Sequence, residues 1–230
     1  MTGDNNSNST NQFLRKQRIC GFFLDAANTI AREKGLNGIT IRNVAKLAGY
    51  NSATLYNYFN NVEQLIDLTA IHMVQPWIRS GSKIFLQYDD PLDRYVGGWR
   101  SFCEYAFRDP EGFVHIYCDK PEGIAESFQL YKELFGNDAE SIYYDIYEQS
   151  SLRAQEEVSI RPCIDAGYFS QEDASDVYEL GLLLIDGLLG RVHRTGSTDQ
   201  AEEYTEMFMK YFVDFLSRRL LKPRDLSCFL

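Results

Sequence analysis

The chain of 230 residues has no long hydrophobic run: its longest uncharged apolar stretch is Leu180–Ile185, closed by Asp186. A bilayer-spanning helix needs roughly 20 such residues, so no membrane span is expected. The segment Met1–Gln12 is rich in Asn, Ser and Thr and has no apolar stretch. It cannot serve as a signal peptide, and a disordered tail over residues 1–13 is expected. Cysteines are few: Cys20, Cys103, Cys118, Cys163 and Cys228 are odd in number, scattered and never spaced CxxC. There are three histidines, His72, His115 and His193, far apart in the chain. This pattern speaks against a disulfide framework or a zinc site and for a reducing cytoplasm. GxSxG, phosphate-loop and HExxH motifs are missing, as are clustered carboxylates, so neither catalytic residues nor a metal or cofactor is expected, and the chain does not read as an enzyme. No segment alternates apolar and polar residues in the manner of a strand, so no sheet is expected.

Helical periodicity is present instead. Ile19, Phe22, Phe23, Ala26 and Ile30 recur at intervals of three and four, on a helix ending near Gly35. Thr40 reads as an N-cap for Ile41–Ala48, with Ile39 and Val44 placed for a hydrophobic staple. Asn61 and Gln64 have the spacing of a capping box, and Asp90-Pro91 and Asp109-Pro110 each put a cap residue before a first-turn proline. About nine helices follow, without internal repeats: an all-α chain.

Charge divides the chain unevenly. Residues 1–62 carry seven basic and three acidic side chains, a net +4, whereas residues 63–230 carry 16 basic and 30 acidic ones, a net −14. A basic head on an acidic body can touch phosphate with the head alone.

Within the head, residues 41–60 read IRNVAKLAGYNSATLYNYFN. Two helices crossing steeply need a small residue at their contact, which Ala45 supplies. The turn between them needs a positive φ, which Gly49 adopts without a Cβ penalty. Val44, Ala48 and Leu55 are placed to wedge the helices together, and Asn51 to cap the second. That is a helix-turn-helix. Of Tyr50, Tyr56 and Tyr58, at least one packs inside a three-helix core of this size, and Tyr50 and Tyr58 are the better candidates.

The run GITIRNVAKLAGYNSATLYNYFNNVEQLI, together with AANTIAREKG before it, resembles the DNA-binding segment of the TetR family of bacterial repressors, over roughly residues 14–68. The resemblance implies a homodimeric cytoplasmic transcription regulator, usually a repressor, released from a double-stranded operator by a small-molecule effector bound in the C-terminal domain. It implies a helix-turn-helix domain over residues 14–60 and a ligand-binding and dimerisation domain over 61–230. The family's DNA contacts fall on Arg42, Ser52, Ala53, Thr54, Tyr56 and Tyr58. Arg42 suits guanine or a phosphate, and Ser52 and Thr54 a base edge or a phosphate. Asn57 is added as an adenine reader, and Lys46 as a phosphate contact. One departure is Val62, where many relatives carry lysine. Another is that residues 52–58 contain no Lys or Arg, which leaves phosphate contacts to Arg15, Lys16, Arg18, Arg42 and Lys46.

In the body, twelve of the 49 residues from Trp99 to Tyr147 are aromatic, well above the 14% of the whole chain. They read either as helical core or as the lining of a pocket for an apolar or aromatic ligand. The lining candidates are Trp77, Trp99, Phe102, Tyr105, Phe113, Tyr117, Phe128, Tyr131, Tyr144 and Tyr147. LGLLLIDGLLG, residues 180–190, is apolar nearly all round, so one side should meet its own domain and the other a twin chain. The interface candidates are Leu180, Leu184, Gly187 and Leu188, with Phe208, Tyr211 and Phe215 from the last helix. Gly181 and Gly187 would permit close helix approach, and Asp186 is either a paired specifier or solvent-facing. Pro76 lies within the apolar pattern Ile66, Ala70, Met73, Trp77, Phe85 and predicts a bend, or a boundary between two helices, near His72–Pro76. The competing function is a helical small-molecule-binding module that has lost specific DNA binding.

Overall fold

The computed structural model describes residues 4–120, 124–136 and 152–230. Among them are ten α-helices and no strand: α1 (Asp4–Lys34), α2 (Ile41–Leu47), α3 (Ser52–Tyr56), α4 (Val62–Gln87), α5 (Pro91–Arg108), α6 (Pro110–Val114), α7 (Ala125–Phe135), α8 (Leu152–Asp165), α9 (Gln171–Thr195) and α10 (Ala201–Ser217). The chain forms two compact units, one built from the described residues of Met1–Met73 and Glu126–Ala139, the other from those of Val74–Ala125 and Glu140–Leu230. No described helix is long and apolar enough to cross a membrane.

In the first unit the apolar stripe of α1 is buried from Ile19 onward: Ile19, Cys20, Phe23, Leu24, Ala27 and Ala31 are all within the core. The helix itself starts at Asp4, so the segment read as a disordered tail is largely helical. Thr40 caps α2 as expected, accepting from the Asn43 amide at 3.2 Å. The α2–α3 turn closes through two bonds, Tyr50 N to Ala45 O (2.8 Å) and Gly49 N to Lys46 O (3.3 Å), with Gly49 at φ 78°. This is the Schellman arrangement, which only a residue at ease with positive φ can end. Asn61 accepts from the Gln64 amide at 2.8 Å. The reciprocal bond is displaced by one residue, because Gln64 Oε1 accepts from Asn60 N rather than Asn61 N. α7, distant in sequence, belongs to this unit: Ser127 donates to Asp67 (3.3 Å), and Tyr131 OH lies 2.8 Å from His72 Nδ1.

α4 runs without interruption through Pro76, so proline neither ends this helix nor starts another. The lost amide is one bond in a helix of 26 residues, most of whose side chains around that point are buried.

In the second unit, α5 and α10 pack through Tyr95, Trp99, Phe208 and Phe212. Asp90 caps α5, accepting from Leu92 N at 2.8 Å, and also takes a bond from the Tyr168 hydroxyl. Asp109, by contrast, makes no side-chain cap bond to α6, although Pro110 does occupy the first turn. A π-helical turn, His115–Asp119, follows α6, closed by Lys120 N to His115 O at 3.1 Å.

Candidate nucleic-acid interface and aromatic cluster

The helix-turn-helix is locked from beneath. Val44, Ala45 and Leu55 are at most 1% exposed, and Phe23 of α1 is fully buried under them. Phe23 meets Tyr50 at 5.2 Å, Tyr58 at 6.0 Å and Phe59 at 5.9 Å between ring centroids. Tyr50 and Tyr58 therefore bracket the recognition helix α3 and tie both its ends to α1. Tyr58, a candidate DNA contact, is half-buried with its ring engaged inside the unit. Tyr56 points the other way, 58% exposed.

The outer surface of the motif carries Arg42, Lys46, Ala53, Tyr56 and Asn57, all exposed, with Ser52 and Thr54 half-buried beside them. Asn51 caps α3 through a bond from the Thr54 amide at 2.8 Å, and the Thr54 hydroxyl donates to the same oxygen at 3.1 Å. While that proton is held, Thr54 can offer a ligand only lone pairs. It then fits a base amino group rather than a phosphate.

The aromatic candidates separate between the two units. Trp77, Phe102, Phe113 and Tyr117 form one cluster in the second unit. Trp77 meets Phe102 edge-on at 5.0 Å and Phe113 at 5.6 Å, and Phe102 meets Tyr117 at 5.1 Å. Trp99 extends the cluster, 5.9 Å from Phe102 and 5.2 Å from Phe208. All are buried, and among the described residues the Trp99 indole N–H has no hydrogen-bond partner. Phe128 and Tyr131 lie in the first unit instead, on α7. Tyr105 is half-buried on α5. Tyr144 and Tyr147 fall outside the described residues.

The apolar run on α9 resolves into two faces. Gly181 faces inward, where a Cβ would sit 2.9 Å from Trp99 Cζ2 and 3.2 Å from Phe212 Cε2; its closeness serves the subunit's own core. Gly187 faces outward, with nothing within 4 Å of such a Cβ. Leu180, Leu184 and Leu188 are half-buried and Leu183 is 70% exposed. From α10, Tyr211 is exposed and Phe215 half-buried, with the Arg219 guanidinium 3.6 Å above its ring. Phe208, an interface candidate, is instead fully buried, between Trp99 and Phe212. The exposure of Leu183 was not legible beforehand, because a helix apolar all round gives its sequence no way to rank its faces. Asp186 is exposed and accepts from the Cys118 thiol. Burial first, and then this bond, push Cys118 up to about 12, so it stays a thiol. Burial likewise pushes Cys20 up to about 11, despite Lys16 nearby, and Cys163 up to about 12.

Residues 23–68 match the family of bacterial regulatory proteins called the tetR family. No curated protein matches the chain in sequence. Among solved structures, the chain is similar to a TetR transcription regulator from Haloarcula marismortui at 20% identity, covering 88% of this chain and 98% of that one, with a TM-score of 0.60. It is similar to a structure concerned with control of antibiotic production by bacterial hormones at 15% identity, covering 86% and 97%, with a TM-score of 0.56. The fatty acid degradation regulator of Bacillus halodurans is 14% identical over 83% of this chain and 94% of its own, with a TM-score of 0.51. At these identities the structures show a shared fold.

Proposed function

Because the chain belongs to the tetR family of bacterial regulatory proteins and carries its DNA-binding helix-turn-helix, we propose that it acts as a cytoplasmic repressor. In this reading it binds a palindromic operator as a homodimer, and a small apolar or aromatic effector releases it. The observation that carries the DNA-binding part is the division of side chains on the motif. Val44, Ala45, Leu55 and Phe59 are spent on the core, whereas Arg42, Lys46, Tyr56 and Asn57 are left on the surface. In the proposed complex Ser52, Ala53, Thr54 and Asn57 face base edges, Arg42 a guanine or phosphate, and Lys46 and Tyr56 phosphates.

The effector reading is supported by the buried cluster of Trp77, Trp99, Phe102, Phe113 and Tyr117, whose one unsatisfied donor is the Trp99 indole N–H. A buried donor without a partner costs about 1–3 kcal/mol, which a ligand acceptor would recover. The dimer reading is supported by the outward apolar face of Leu180, Leu183, Leu184, Gly187 and Leu188, beside Tyr211 and Phe215. Two copies of α9 and α10 would form a four-helix interface.

Selection of duplexes from a randomised pool, followed by footprinting, tests this. The expected product is an inverted repeat whose half-site centres lie about 34–36 Å apart or a multiple of that, as two recognition helices entering successive major grooves require. Failure to enrich any duplex would favour a ligand-binding module without specific DNA recognition. A single asymmetric half-site bound by a monomer would overturn the dimer.

A further inference from the structure

The family match begins at residue 23, yet α1 begins at Asp4. From Asn11 onward, the first residue of this helix buried in the core is Ile19. The preceding helical segment, residues 4–18, is about 22 Å long at 1.5 Å per residue. From Asn11 to Arg18 every side chain is exposed except Gln17, which is half-buried. Residues 11–18 bury almost nothing and so add little to the stability of their unit. Its charge is one-sided: residues 5–24 hold Arg15, Lys16 and Arg18 and no acidic side chain. None of the three makes an ion pair among the described residues. The remainder of the chain is strongly acidic, at −13 against −10 for the whole chain.

These charges lie on the helix that supports the recognition helix. Phe23 touches Tyr50 and Tyr58, which flank α3 on either side. Along the same helix, Arg18 and Arg15 lie about 8 and 12 Å beyond Phe23. α3 itself carries no cation.

We propose that the N-terminal extension of α1, residues 4–18, is a second DNA-binding element, in which Arg15, Lys16 and Arg18 grip backbone phosphates beside the groove entered by α3. Charge complementarity selects the DNA backbone as occupant: three clustered cations on a chain otherwise acidic, adjoining a recognition helix that lacks any. This assignment rests on the DNA-binding reading above and extends the interface outside the helix-turn-helix.

The test compares the full-length wild type with Arg15→Gln/Lys16→Gln/Arg18→Gln, on a 40-base-pair duplex enriched by the wild type from a randomised pool. Three phosphate contacts contribute about 2.7 to the slope of log affinity against log salt. Between 50 and 200 mM salt the wild type should therefore lose about 40-fold more affinity than the triple variant. Hydroxyl-radical protection should shrink at the outer phosphates in the variant alone. Arg15→Lys/Arg18→Lys, which keeps the charge, should keep the slope. All variants sit on exposed positions, and circular dichroism should show an unchanged fold. An unchanged slope and footprint in the triple variant, while Arg42→Ala still weakens binding, would overturn the extension and leave the helix-turn-helix reading standing. Failure of the wild type to bind any duplex would overturn both. Binding of the wild type to anionic phospholipid vesicles more tightly than to duplex, lost in the triple variant, would assign the segment to a membrane surface and also overturn the proposal.

Discussion

Trp99 and Gly181 form a matched pair between α5 and α9: the indole occupies the space a side chain at 181 would need, 2.9 Å from the ideal Cβ position. Phe212 closes the same site at 3.2 Å. Neither ring can retreat easily, since Trp99 also packs edge-on against Phe102 and at a tilt against Phe208.

Gly181→Ala should therefore destabilise the protein. Overpacking costs about 1–3 kcal/mol, which outweighs the roughly 1 kcal/mol that alanine returns in helix propensity. Gly187→Ala, on the same helix with open space around it, serves as the control. Denaturant midpoints should fall for the first and not for the second. Equal midpoints would mean that the Trp99 contact is soft.

If the proposed dimer forms through α9 and α10, Leu183→Glu should convert it to monomer without unfolding the chain. The side chain is 70% exposed in the single chain, so a carboxylate there is solvated until a partner covers it. Phe208→Ala should do something different, removing a fully buried ring and costing about 3–5 kcal/mol of stability. Sedimentation read alongside thermal melts separates the two. A stable dimer of Leu183→Glu would mean that another face of the protein makes the interface.

Arg42→Ala and Tyr56→Phe should weaken DNA binding with little effect on folding, because both side chains are exposed. Asn51→Ala should cost about 1 kcal/mol through loss of the α3 cap. It also frees the Thr54 hydroxyl, which now donates to Asn51. Base preference opposite Thr54 should then relax, because the hydroxyl becomes able to donate as well as accept. Competition binding against single-base variants of the enriched duplex reads this directly.

Acid should loosen the second unit at Asp90. Burial alone would raise the pKa of this carboxyl, but bonds from the Tyr168 hydroxyl and the Leu92 and Asp93 amides overcome that and hold it below its ordinary value of 3.8. The unfolded chain then takes up the proton first as pH falls. Stability from Asp90 is complete above that ordinary value and is lost as pH drops through the lower, folded one. The charge-dependent part is absent in Asp90→Asn, so the gap in denaturant midpoint between it and wild type should narrow below about pH 4. A gap constant from pH 7 to pH 3 would show that the carboxylate's charge does not stabilise the cap.

Local features were legible in the residues alone because they act over a few positions. Thr40, Gly49, Asn51 and Asp90 each answer a requirement of a neighbouring amide or turn, and the structure shows each doing so. Tyr50 and Tyr58 were the better core candidates of the three tyrosines, and both rings meet Phe23, whereas Tyr56 is 58% exposed. Tertiary structure decided what periodicity leaves open. LGLLLIDGLLG is apolar on every side, so only packing against Trp99 and Phe212 turned Gly181 inward and left Leu183 outside. Phe208 and Phe215 both carry helical apolar spacing, yet only the second remained near the surface. Phe128 and Tyr131 sit amid aromatic neighbours in sequence, but long-range contacts with Asp67 and His72 put α7 in the DNA-binding unit. Pro76 offered a bend or a helix boundary, and no boundary formed, because burial along both sides of α4 outweighed one missing hydrogen bond. A residue's neighbours in sequence set its backbone options, whereas which apolar side meets which partner is settled only when distant segments compete for the same surface.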